Sequence, residues 1–171
     1  YPKSLRFFLA GDYTGAADLY FLLMRHLKRI VLRPQDGGEA AVLPAECLRE
    51  AGFSETLSLI PYPKHAFPGY RILQEYFFSS EKFLYVDLTG WDEWRDRGGG
   101  SRFEIRFELD SLPVRPPRVT RDWFVLFATP VVNLFPHEAD PIALDHRRPW
   151  YLVRPACSNP DHYQVYSVDR V

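Results

Sequence analysis

The run Arg102-Phe103-Glu104-Ile105-Arg106-Phe107-Glu108-Leu109-Asp110 decides the fold class. Phe103, Ile105, Phe107 and Leu109 alternate with Arg102, Glu104, Arg106 and Glu108. A period of two sends successive side chains to opposite faces, which predicts a strand with one face buried and one wet. Toward the C-terminus, residues 123–128, 141–145, 150–154 and 163–168 are predicted as further strands, separated by Pro, Asn and Asp.

Toward the N-terminus the period changes. Residues 5–10 read as a strand closed by Gly11-Asp12. Asp12 or Thr14 is placed to cap a helix running to about Arg29, with Leu19, Leu22, Leu23, Leu27 and Ile30 at helical spacing. A short strand at 30–33 and a turn at 35–39 around Asp36-Gly37 follow. Pro44 is predicted to open a second helix that Gly52 ends. Three prolines in 61–68 dictate a non-helical path. A third helix is predicted over 69–78, with Ile72, Leu73, Tyr76 and Phe77 on one side, and then a strand over 83–88. The expected architecture is α+β, with helices mainly in the first half and a mainly antiparallel sheet or sandwich in the second. One domain is expected over residues 1–171, and only 98–101 have the composition of a flexible linker.

The composition narrows function. A net charge of −1 over 171 residues lacks the basic excess of a protein that grips nucleic acid. The apolar stretches are too short to span a bilayer, so no membrane insertion is expected. Cys47 and Cys157 have no CxxC spacing and read as buried thiols in a reducing cytoplasm. The chain starts at Tyr1 without Met or signal peptide and ends within a strand-like run, so both ends are expected to be cuts through something larger.

The densest polar cluster is Pro136-His137-Glu138-Ala139-Asp140 followed by Asp145-His146. Two His and three acids invite a metal-dependent hydrolase as an alternative. The flanking Pro136 and Pro141 and the adjacency of His137 and Glu138 favour polar loop residues instead. GxSxG, P-loop and dinucleotide patterns are absent from the sequence, and Glu104 and Glu108 lie on the wet face of a strand. No catalytic residue, metal ligand or cofactor is therefore assigned. Trp91 and Trp94, in a charged loop, are candidate partner contacts for a peptide-binding module, although a Trp there more often covers its own core. The run 113–118, Pro-Val-Arg-Pro-Pro-Arg, has polyproline spacing and reads as a rigid connector.

Three segments carry a family likeness. They are Phe67-Pro68-Gly69-Tyr70-Arg71-Ile72-Leu73-Gln74-Glu75-Tyr76-Phe77 with Lys82-Phe83 behind it; Pro130-Val131-Val132-Asn133-Leu134-Phe135 with Pro141; and the C-terminal run through Tyr166 and Val168. In that order they resemble the TssF (VasA/ImpG) family of bacterial type VI secretion. The resemblance implies an internal fragment of a longer structural protein without catalytic residues. It also implies partners: TssG, TssK and TssE in baseplate wedges around the VgrG spike, with more than one copy per wedge. The implied location is cytoplasmic, at a baseplate docked on the inner membrane complex.

The signature residues also have a physical reading. Ile72, Leu73, Tyr76 and Phe77 would form an apolar helical face packed on a strand containing Phe83 and Tyr85. Arg71 and Glu75, at i and i+4, would pair, and a buried Glu75 would require partners. The segments thus read as fold determinants.

Overall fold

The computed structural model describes residues 3–63, 65–112 and 116–170. It divides into two compact units, Tyr1–Val131 and Val132–Val171.

In the first unit, strand β1 (Leu5–Leu9) leads into helix α1 (Tyr13–Arg25). The Asp12 carboxylate caps α1 by accepting from the Gly15 amide at 3.0 Å. Leu19, Leu22 and Leu23 are buried along one stripe of the helix. The helix stops at Arg25, four residues short of the sequence expectation, and β2 (Leu27–Pro34) begins almost at once. Leu27 and Ile30, which fit helical spacing, belong to this strand. Pairing decides the matter: β2 lies between β3 (Ala41–Pro44) and β6 (Phe103–Leu109), with Ile30 opposite Leu43 and Phe107. Ile30 and Leu32, two apart, are both fully buried, so a period of two serves the core better than 3.6 does.

The helix predicted from Pro44 to Gly52 is not formed. Pro44 closes β3, Ala45–Cys47 make a single 3₁₀ turn, and Leu48–Glu50 form β4. Leu43 and Leu48 both enter the core, and the turn between them carries the chain from one sheet to the other. A helix would leave those sheet positions unpaired.

The second sheet has the order β4-β5-β1-β7, where β5 is Tyr85–Leu88 and β7 is Phe124–Leu126. Phe7 of β1 faces Val86 on one side and Leu126 on the other, both antiparallel. The strand expected over 83–88 starts only at Tyr85, because Ser80–Leu84 is 3₁₀. Residues 82–86 are all buried, a run that an alternating strand with one wet face cannot supply. Leu9, Leu19, Leu23, Ile30, Leu32, Leu43, Val86 and Leu88 belong to one core cluster shared by α1 and both sheets. Ile105 and Phe107 pack on that cluster only partly buried, while Phe103 is exposed and Glu104 and Glu108 are half-buried, so β6 forms where predicted but its burial does not alternate as expected. The mixed α+β class and its antiparallel sheets agree with the sequence expectation.

In the segment 98–101, expected to be a flexible linker, Gly98 and Gly100 lie against the turn at Asp36-Gly37, while Gly99 is open to solvent. Gly98 has φ +68° and lies so near Gly37 that an added Cβ would meet the Gly37 carbonyl oxygen at 2.2 Å.

In the second unit, Ala139 and Pro155 form one isolated antiparallel bridge, and Pro160–His162 makes a 3₁₀ turn. The strands predicted at 141–145, 150–154 and 163–168 are not part of a ladder among the described residues. Among the described residues no helix is long and apolar enough to cross a membrane.

Candidate contact surface around helix α2

Helix α2 (Pro68–Phe78) carries Pro68 in its first turn, where the missing amide costs nothing. Its buried residues are Arg71 and Glu75, not the apolar ones. The Glu75 side chain is fully buried, and five groups converge on it. Its Oε1 accepts from the Leu59 amide at 2.8 Å, the Ser58 hydroxyl at 3.3 Å and the Ile60 amide at 3.5 Å. Its Oε2 accepts from Arg71 Nη1 at 3.1 Å and from Lys82 Nζ. Burial pushes the Glu75 carboxyl up. The Lys82 hydrogen bond, the Leu59 amide and the two cations together outweigh it and hold the group below the usual carboxylate range.

This knot fixes the rotation of α2. A buried carboxylate is tolerable only when paired and fully hydrogen-bonded, so the Arg71–Glu75 side must face inward. Helical geometry then turns the aromatic side out. Phe77 is 81 % exposed, Phe67 69 %, Tyr70 63 %, Phe78 58 %, Leu73 52 % and Tyr76 46 %. The expectation that Leu73, Tyr76 and Phe77 pack on a strand is therefore overturned: of that face only Ile72 is half-buried. Phe83 is buried in the 3₁₀ turn, with ring centroids 4.9 Å from Phe53 and 5.9 Å from Tyr76. Phe53, Gly69, Ile72, Leu73, Tyr76 and Phe83 line an apolar groove of about 300 Å³. Gly69 keeps that wall low, since a Cβ there would meet the Phe67 ring at 2.4 Å.

Trp91 and Trp94 are placed elsewhere. Both are buried, at 2 % and 4 % exposure, and both rings contact Phe103. The Trp91 indole donates to the Leu88 carbonyl at 3.2 Å, and the Trp94 indole donates to the Glu39 carbonyl at 2.7 Å. The peptide-binding reading needs these rings at the surface, and they cover their own core instead. The proline run 113–118 falls partly on residues 113–115, outside the described residues.

The polar cluster of the second unit does not converge. His137 stacks on Tyr163 with centroids 5.7 Å apart and meets Phe135 edge-on. Asp145 accepts from the Tyr151 hydroxyl at 2.6 Å and from the Arg147 amide at 3.1 Å, contacts that hold its carboxyl below the usual range. His146 has a left-handed backbone with φ 55°. Among the described residues no three His, Cys, Asp or Glu side chains are placed to hold one ion, so Glu138 and Asp140 find no such company either. Asn133, Leu134, Phe135, Pro141, Tyr166 and Val168 are exposed, and Pro130 is half-buried.

A model of the type VI secretion system TssF family matches residues 2–171. The chain belongs to the TssF family. The resemblance carried by the three segments is thereby borne out. This TssF chain is 31 % identical over 169 residues to type VI secretion system component TssF1 of Pseudomonas aeruginosa, matching 98 % of this chain and 27 % of that protein. It also superposes on a chain of the TssK-TssF-TssG baseplate subcomplex seen by cryo-electron microscopy, with a TM-score of 0.71 and 32 % identity. That match covers 97 % of this TssF chain and 31 % of the other. The chain thus spans roughly a quarter to a third of the length of these relatives.

Proposed function

We propose that the protein is a structural subunit of the type VI secretion baseplate, acting through protein–protein contacts and not through catalysis. The observation that carries this reading is the likeness along nearly the whole chain to a chain of the TssK-TssF-TssG subcomplex. TssG and TssK are its immediate partners. TssE is a further partner in the wedge, which surrounds the VgrG spike and holds more than one copy of the subunit. Its place is the cytoplasmic side, where the baseplate docks on the inner membrane complex.

The outward face of α2 is the contact surface this reading favours. Aromatic residues each offer roughly 150–250 Å² when buried, and the six residues of this face are about half to four-fifths exposed. Together they approach the ~800 Å² per partner of a standard interface. Aromatic side chains held on a rigid element are the usual anchors of such interfaces. Co-purification of the full-length protein with TssG and TssK tests the reading. A stable complex is expected, and failure of the folded wild-type protein to associate with either would overturn it.

A further inference from the structure

Residues 150–158 carry a strand's signature, but among the described residues only the bridge between Ala139 and Pro155 pairs them, through Arg154 and Ala156. Trp150, Leu152, Arg154 and Ala156 are exposed, whereas Tyr151, Val153, Pro155 and Cys157 are half-buried. A period of two in burial is what a pleated strand produces. Yet among the described residues no backbone amide from 150 to 154, or from 164 to 168, has an acceptor. Trp150 is 72 % exposed, Leu152 61 %, Tyr166 53 % and Val168 52 %. Among its described residues the second unit has no buried one. Unpaired amides beside an apolar face are the template for strand addition.

We infer that residues 150–154 are a strand of an unfinished sheet, completed by extended strands of the same TssF polypeptide outside these 171 residues. Length supplies the source: this chain matches 27 % of its relative, so most of such a polypeptide lies outside it. Tethering supplies the affinity, because a segment of the same chain acts at roughly millimolar effective concentration. Timing favours a segment of the same chain as first occupant. An edge bearing Trp150 and Leu152 that waited for a diffusing partner would pair with other copies and aggregate. The inference rests on family membership and stands apart from the α2 contact.

Hydrogen exchange on the full-length protein, alone and then mixed with TssG and TssK, tests it. Peptides covering 150–154 are expected to exchange at least ~100-fold more slowly than free peptide in the protein alone. Adding TssG and TssK is expected to leave those rates unchanged. Fast exchange in the protein alone overturns the inference, whether or not partners then slow it. Because the protein alone decides the outcome, failure of TssG or TssK to bind leaves that outcome intact.

Discussion

The Glu75 carboxylate and the Lys82 ammonium form an ion pair in which neither side chain is exposed, and Arg71 closes the same carboxylate from one helical turn away. Desolvating both charges costs several kcal/mol, which only the full set of partners offsets. Glu75→Gln leaves Lys82 buried without a counter-charge. We expect it to lower the unfolding free energy by about 3–5 kcal/mol, read from urea denaturation monitored by tryptophan fluorescence. Glu75→Leu combined with Lys82→Met and Arg71→Met removes all three buried charges and is expected to cost clearly less than the single change. Equal losses would show that the knot is held by something other than charge.

The same pair sets an acid limit. Glu75 titrates lower in the folded state than in the unfolded chain. Its contribution is therefore complete above the unfolded value, about 4.3, and drains away as pH falls through the folded value. Stability measured from pH 6 down to pH 3 should drop less steeply in Glu75→Gln than in the wild type. Parallel curves would contradict this.

On α2, Phe77 is 81 % exposed and lies outside the charge knot. Phe77→Asp is expected to move the stability of the isolated protein by no more than ~0.5 kcal/mol. It should weaken capture of TssG or TssK in a pull-down. Unaltered capture by Phe77→Asp together with Tyr70→Asp would remove this face from the interface.

Trp94 supports the opposite outcome. Its ring contacts Phe103 and its indole donates to the Glu39 carbonyl. Trp94→Ala is expected to cost about 3–5 kcal/mol through the cavity it opens. Trp94→Phe should cost about 1–2 kcal/mol, mainly the lost hydrogen bond. Thermal unfolding of both variants checks the order.

Neighbouring glycines give a paired test. Gly98 combines φ +68° with a backbone carbonyl in the space of its missing Cβ, whereas Gly99 has nothing within 4 Å. Urea denaturation of each alanine variant reads the difference. Gly98→Ala should destabilise by about 2–3 kcal/mol, and Gly99→Ala by less than ~0.5 kcal/mol. Similar effects at both positions would mean that the segment is loose.

Sequence is legible where one physical demand acts alone. Alternation in the sequence locates β6, and Asp12 marks the start of α1 because a short carboxylate satisfies an orphan amide. Residues 27–34 and 44–52 mislead because helical and strand spacing share positions, and the pairing partners that decide between them lie far along the chain in β6 or in β5. The rotation of α2 is hidden by a conflict. Its aromatic residues point inward by hydrophobicity, while Arg71, Glu75 and Lys82 demand each other's company. That charge spacing is visible in the sequence. It outweighs the aromatic signal only if the carboxylate is buried, and burial is a property of the fold. The strand candidates of the second unit are equally visible, but a ladder needs partners that these residues do not supply to one another.

The central position of β1 has a kinetic meaning. Leu5–Leu9 leaves the ribosome well before its two neighbours, β5, some 80 residues later, and β7, with Phe7 opposite Leu126. At ~5–20 residues per second β1 waits on the order of ten seconds for its second edge. Through that interval Phe7 and Leu9, both buried in the finished unit, must be shielded by α1 or by a chaperone. The first strand of the sheet to be made is thus among the last to be locked. Slowing translation between β5 and β7 therefore prolongs the interval in which β1 keeps an open edge.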